Sequence, residues 1–234
     1  MEYEEGAVMV LGLFDSLREG LYVVGIPRKE ALTLTEKYHY LKGISTSAKC
    51  IGAYHEGTLI AVVVWATPNW ESVRSSVLGE EYKHLVTELQ RLVLTPNCPY
   101  PASQIVSRSI KVLNTERGIN GLLPYKVLIS FADPSVGHHG GVYQSMSWLY
   151  CGTGGCMTGI KRIDPATGHV KTKRIRGVLI SNEEALRRGW VIQEVEKISK
   201  HRYITFVGTR KEKKRYRKML KLEVLPYPKP DQDP

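Results

Sequence analysis

Residues 125–132, Tyr-Lys-Val-Leu-Ile-Ser-Phe-Ala, form a nearly unbroken apolar run that stops at Asp133-Pro134. A strand without polar alternation is buried on both faces, as in parallel sheets covered by helices on each side. Pro134 has no amide proton to give a neighbouring strand, so the run ends there. Residues 85–94 read as a second strand, whose alternation sets Leu85, Leu89, Arg91 and Val93 on one face and Val86, Glu88, Leu92 and Leu94 on the other. Between the two strands Ser103 can cap a helix with an apolar stripe of Val106, Ile110 and Leu113. Strand, crossover helix and strand make a right-handed parallel unit.

Around this unit, residues 21–26, 50–54 and 59–65 read as strands, the last two joined by a hairpin turn at 55–58, and Pro27 opens a helix over 28–39. A helix is expected over 137–150, with Val142, Met146 and Leu149 packed back on the sheet. From 157 to 195 the chain is basic, with a hairpin around 164–168 and a short helix near 182–188. A last strand over 203–208, a basic helix and a proline-rich tail complete it, the last two within 209–234. The expected architecture is α/β, a mixed central sheet flanked by helices in one domain over 1–234, with an insertion at 157–195 and a basic C-terminal extension.

The 234 residues carry 33 Lys and Arg against 23 Asp and Glu, a formal charge of +10 that directs attention to a polyanionic partner. Between Lys197 and Lys221 eleven basic residues meet one acid, Glu212, and a second basic segment holds Lys161, Arg162, Lys171, Lys173, Arg174 and Arg176. Lys213, Lys214, Arg215, Arg217, Lys173 and Arg174 are the candidate contacts to nucleic-acid phosphates; the competing reading is a solvated face that keeps the protein soluble. The longest apolar stretches, 59–66 and 127–132, are too short to cross a bilayer, and the start at Glu2, Glu4 and Glu5 has no basic leader segment. A cytoplasmic location without a membrane partner is expected. The cysteines Cys50, Cys98, Cys151 and Cys156 are too few and scattered for a disulfide framework.

In open α/β sheets ligands sit beyond the carboxyl ends of the parallel strands, which singles out Asp133. His138 and His139 follow in a glycine-flanked loop, and Tyr143 lies shortly after. An acid, two imidazoles and a phenol thus meet at one strand-to-helix turn; Asp133 as a plain cap and the histidines as loop residues are the alternatives. Arg91, among apolar neighbours, needs a carboxylate or a bound anion, and Asp133 is a better placed partner than Glu88 on the opposite face.

At this turn the string Phe131-Ala132-Asp133-Pro134-Ser135-Val136-Gly137-His138, then Gly141-Val142-Tyr143-Gln144 and Trp148-Leu149-Tyr150-Cys151-Gly152, resembles the signature segment of the Mom family of phage proteins. Glu88-Leu89-Gln90-Arg91-Leu92 resembles that family's central strand, His39-Tyr40 its His-Tyr pair, and Pro226-Tyr227-Pro228-Lys229 its tail, so the likeness covers roughly residues 20 to 229. The resemblance implies a fold similar to that of GCN5-related N-acetyltransferases. It also implies transfer of a carbamoylmethyl group to N6 of adenine in double-stranded DNA, which masks phage DNA from restriction in the bacterial host. Asp133, Tyr143, Arg91, His39 and Tyr40 are then the positions matching the family's important residues, with His138 beside them. In that setting Asp133 would take the proton of the amine, Tyr143 would protonate the leaving group and Arg91 would hold an oxygen of the donor.

Acetyltransferases of this fold usually bind pyrophosphate in a glycine-rich turn after the central strand. Here residues 95–103 contain Pro96, Pro99 and Pro101 and no glycine, so the donor is either acetyl-CoA held differently or another small molecule. Ser103 and Ser107, early in the next helix, are the candidate donor contacts. The resemblance also raises iron, for which His39, Tyr40 and His138 are acceptable ligand types, although no tight metal spacing is present. Adenine N6 lies in the major groove of a duplex, so base flipping is expected, with Tyr40, Trp65 or Trp70 as a stacking surface and Trp65 also suited to the core. Two other readings stay open: a conventional N-acetyltransferase acting on a protein, polyamine or small amine, and a nonenzymatic nucleic-acid-binding protein that has kept the fold.

Overall fold

A computed structural model describes residues 20–115, 125–154, 160–166, 168, 174–175, 178–194 and 199–229. Strand β1 (Leu21–Gly25) leads into helix α1 (Arg28–Tyr38), and β2 (Lys49–His55) turns into β3 (Thr58–Ala66). That turn is Glu56-Gly57, both at positive φ (49° and 75°), the twist that suits a two-residue hairpin. Helix α2 (Glu71–Leu78) and a short 3-10 turn (Glu80–Leu85) precede β4 (Val86–Leu94), α3 (Ala102–Thr115) and β5 (Val127–Ala132). Then come α4 (Gly141–Ser145), β6 (Leu149–Gly154), β7 (Ile160–Ile163), β8 (Arg174–Ile175), β9 (Val178–Leu179), α5 (Asn182–Arg187), β10 (Val191–Glu194), β11 (Lys200–Phe206) and α6 (Arg210–Met219).

Seven strands form the central sheet in the order β1-β2-β3-β4-β5-β11-β6. The β4–β5 pair is parallel and its neighbours are antiparallel, the mixed sheet expected from the crossover unit. On one face Ile105, Val106 and Leu113 of α3 pack with Tyr143 and Trp148 against Trp65, Leu89 and Leu128. On the other, Ala31 of α1 meets Val62, Val64 and Val93, while Val77 of α2 and Tyr216 of α6 cover Val86, Ile129 and Ile204.

Three local expectations are corrected. Helix α3 starts at Ala102, so Ser103 lies inside its first turn; the carbonyl of Pro101 accepts from Gln104 and Ile105 (3.0 and 3.3 Å) where a side-chain cap was expected. The helix over 137–150 is in fact a 3-10 turn (Pro134–Val136), the short α4 and then β6, because Gly137 and Gly140 take left-handed φ values (74° and 82°) and Ser147 (57°) ends the helical turn. The strand entering the turn at Asp164 pairs with β10, and the other arm of the expected hairpin lies outside the described residues. Leu85 belongs to the turn before β4 and packs with Val86 in one cluster, where alternation would separate them.

Candidate active site

Strands β4 and β5 run together only over Val86–Leu89 against Val127–Ser130; beyond that β4 stays with β3 and β5 with β11. Where they part, a cleft of about 650 Å³ opens. Its walls include Glu88 and Arg91 of β4, Lys200 of β11, Tyr143 of α4, and His39, Tyr40 and His138 from the loops above. The volume falls within the range of small-molecule sites.

A bulge on β4 decides what enters it. Trp65 pairs with Leu89 and Val64 with Arg91, leaving Gln90 as the extra residue. Leu89 and Leu92 therefore fall in one core cluster, while Arg91 sits opposite Val64 and Glu88 opposite Ala66. Arg91 is thus on the side of Glu88 and away from Leu89, the reverse of what alternation predicts. Its guanidinium donates from Nε to the Gly43 carbonyl (3.0 Å) and from Nη1 to that of Gln90 (2.6 Å), not to Asp133. Burial pushes the Glu88 carboxyl up to about 7, with Arg91 and Lys200 acting against the shift.

Asp133 is buried, at 1% exposure, and does not line the cleft. One oxygen accepts from the amide (3.1 Å) and hydroxyl (2.5 Å) of Ser135; the other meets the Lys200 ammonium at 2.9 Å and the Tyr40 hydroxyl at 3.4 Å. Burial alone would raise its pKa, but the Ser135 and Lys200 contacts together hold it below the usual value. Asp133 is therefore an ionised anchor that fixes Lys200 and Tyr40 at the wall, and it also caps the 3-10 turn.

The Tyr143 phenol lies 2.7 Å from the Ser130 hydroxyl, which donates to the Leu89 carbonyl at 3.0 Å. Burial pushes its pKa up to about 12, so it is a neutral phenol at pH 7. Tyr40 is likewise raised to about 12, by burial and then by the Asp133 charge. His39 is lowered to about 4 by burial and the Arg91 charge; its Nδ1 accepts from the Leu41 amide (2.9 Å), leaving a neutral ring stacked on Tyr40 at 4.5 Å. His138 meets Tyr40 edge-on at 5.8 Å.

The structure thus brings Arg91, His39, Tyr40, His138 and Tyr143 to one cleft and sets Asp133 behind it. Glu88 and Lys200 were missed as site residues. Glu88 is legible only once the bulge is known, and Lys200 is far from Asp133 in sequence, brought close by the β11–β5 pairing. Ser103 and Ser107 lie at the start of α3, outside the cleft lining. The iron set does not fit: Tyr40 stacks on His39 and its hydroxyl is turned to Asp133, and among the described residues no group of three His, Cys, Asp or Glu is arranged to hold a metal.

Lys213, Lys214, Arg215 and Arg217 are exposed on α6, whose buried Tyr216 fastens it to the sheet. Lys173 and the Arg174 side chain lie outside the described residues. Of the tryptophans proposed for stacking, Trp65 is buried at 1% exposure and Trp70, at the cleft, is 63% exposed. No described helix is long and apolar enough to cross a membrane.

Among solved structures the chain is similar in fold to an N-acetyltransferase from Staphylococcus aureus Mu50 (10% identity, 80% of this chain and 98% of that one, TM-score 0.42). It is also similar to the ribosomal-protein-S18-alanine N-acetyltransferase from Escherichia coli (8%, 81% and 95%, TM-score 0.43) and to an acetyltransferase from Bacillus subtilis in complex with CoA (11%, 80% and 98%, TM-score 0.41). No curated protein sequence matches it. Over residues 20–229, a span that contains the whole cleft, the chain matches the Mom protein family, and it belongs to that family.

Proposed function

We propose that this protein transfers a carbamoylmethyl-type group from a small donor to N6 of adenine in double-stranded phage DNA, inside the infected host cell. Family membership implies phage DNA modification. The observation that carries the chemistry is the cleft between β4 and β5, where a carboxyl near neutrality, a guanidinium and a neutral phenol face one space.

The exocyclic amine of adenine is a weak nucleophile, because its lone pair is conjugated with the ring, so its proton must leave as the new bond forms. Glu88 is the better acceptor, since a base poised near pH 7 combines availability with driving force. Asp133, paired with Lys200, serves as a positioning residue. N6 attacks the donor carbon, the bond from that carbon to the leaving group breaks, the N6 proton passes to Glu88, and the Tyr143 phenol protonates the departing atom. Arg91 holds a donor oxygen with the nitrogen that its two backbone contacts leave over. The prolines at 96, 99 and 101 withhold amide donors where a CoA pyrophosphate would sit, which favours a smaller donor. The test is nucleoside mass spectrometry of DNA from cells expressing the protein. A carbamoylmethyl mass on deoxyadenosine is expected; unmodified DNA together with turnover of acetyl-CoA on free amines would replace this reading with a conventional N-acetyltransferase.

A further inference from the structure

Trp70 is 63% exposed, while Trp65 and Trp148 are 1% exposed. Among the described residues it makes no ring contact and no side-chain hydrogen bond, yet it lines the same cleft as Glu88 and Arg91. Its backbone is not loose: buried Pro68 precedes it, and its carbonyl accepts from Val73 (3.1 Å) in the first turn of α2. An indole held on a fixed turn and left in water is an apolar surface without a cover. Tyr40, 42% exposed, lines the same cleft and is fixed by its stack on His39 and its contact to Asp133. Both exposed rings share the cleft lining with the polar side chains of Glu88, Arg91 and Lys200.

We infer that Trp70 and Tyr40 grip the purine once it is turned out of the duplex, stacking on its ring while the N6 edge points to Glu88. This rests on the DNA-modification reading of the cleft. A stacking surface accepts any base face, and the cost of extruding a paired base is offset by such contacts. The alternative for an exposed tryptophan beside DNA is a wedge that fills the gap left in the helix, which would act whether or not a base enters the cleft.

Two duplex probes separate these roles: one with an adenine opposite an abasic residue, the other with that adenine also abasic. The wild type is expected to bind the first about tenfold more tightly or better, because only that probe offers a base to stack on the two rings. Trp70→Ala should abolish the preference, Trp70→Phe should largely keep it, and Tyr40→Leu should lose it where Tyr40→Phe does not. Tryptophan emission should be quenched by the first probe in the wild type and not in Trp70→Phe. Equal binding of the two probes by the wild type, an undiminished preference in folded Trp70→Ala, or a uniform loss of affinity for both probes would overturn the inference. The preference is read without turnover, so an absence of modified deoxyadenosine would sink the function proposed above while leaving this measurement intact.

Discussion

Glu88 lies on β4 and Asp133 just past the end of the neighbouring β5, and their surroundings drive these two carboxyls in opposite directions. Glu88 has burial without a carboxylate-stabilising hydrogen bond, so its folded pKa, about 7, lies above the ordinary 4.5. Its contribution to stability is therefore fully present below about pH 4.5 and lost as the pH rises through about 7. Glu88→Gln should melt higher than the wild type at about pH 8.5 and alike at about pH 4. The same variant should lose modification by about 10²- to 10⁴-fold, together with the rise in rate through pH 7. Unchanged activity with an unchanged profile would remove Glu88 from the chemistry. Asp133, by contrast, is held below its ordinary value, so its share of stability is present above that value and lost as the pH falls through the folded one. Lys200→Met strands this buried carboxylate and should cost on the order of 3 kcal/mol, roughly 10 °C in Tm for a chain of this size. Asp133→Asn combined with Lys200→Met should cost less than the sum of the single changes. Strict additivity in thermal melts would mean that the pair is not coupled.

At the scale of elements, the long periodic or apolar segments were legible and the interruptions were not. The run ending at Ala132 became β5 in the expected parallel pair, α1, β2 and β3 fell within a few residues of the sequence reading, and the basic helix expected after the last strand is α6. The β4 bulge was invisible because it alters no composition; one extra residue at Gln90 moved Arg91 to the other face and replaced its expected partner. Likewise, Val142, Met146 and Leu149 have helical spacing, but Ser147 at positive φ ends the helical turn before Leu149, and two left-handed glycines, Gly137 and Gly140, keep it from starting earlier. Gly140 is the stricter of the two. Its φ is 82°, and a Cβ there would fall within the Tyr203 ring, whose hydroxyl donates to the neighbouring His139 carbonyl at 2.5 Å. Gly140→Ala should therefore destabilise by about 3 kcal/mol, from backbone strain and overpacking together, and should displace Tyr143 from Ser130. Gly141→Ala, with open space around its Cβ position, is the control. Equal melting of the two variants would refute the steric account.

Across the whole molecule, within a chain of net charge +10, the basic helix α6 covers the same face of the sheet as α2, one of the elements that line the cleft. Helix α2 links α6 to the cleft: its first turn, with Ser72 and Val73, lines the cleft, and near its far end the Val77 carbonyl accepts from the Lys221 amide at 2.9 Å. Eight residues of helix span about 12 Å, so a duplex lying along α6 would be within a few base pairs of the cleft mouth. The helix is built for presentation: Thr209 and Glu212 form a capping box, Glu212 also pairs with Lys126 at 2.7 Å, and Tyr216 is buried, while its remaining charges face solvent. Neutralising Lys213, Lys214, Arg215 and Arg217 together with Ala should therefore leave the melting temperature nearly unchanged, because alanine keeps the helix and all four residues are exposed, Arg215 alone touching a ring, that of Tyr216 at 5.5 Å. The effect should appear in DNA binding. Each phosphate contact contributes a slope of about −0.9 in log affinity against log salt, so losing four contacts should flatten the slope by about 3 to 4. A solvated face would instead leave both slope and affinity at low salt as they were. If affinity falls while the slope is retained, the four side chains act by shaping the surface, and the phosphate track lies elsewhere on the molecule.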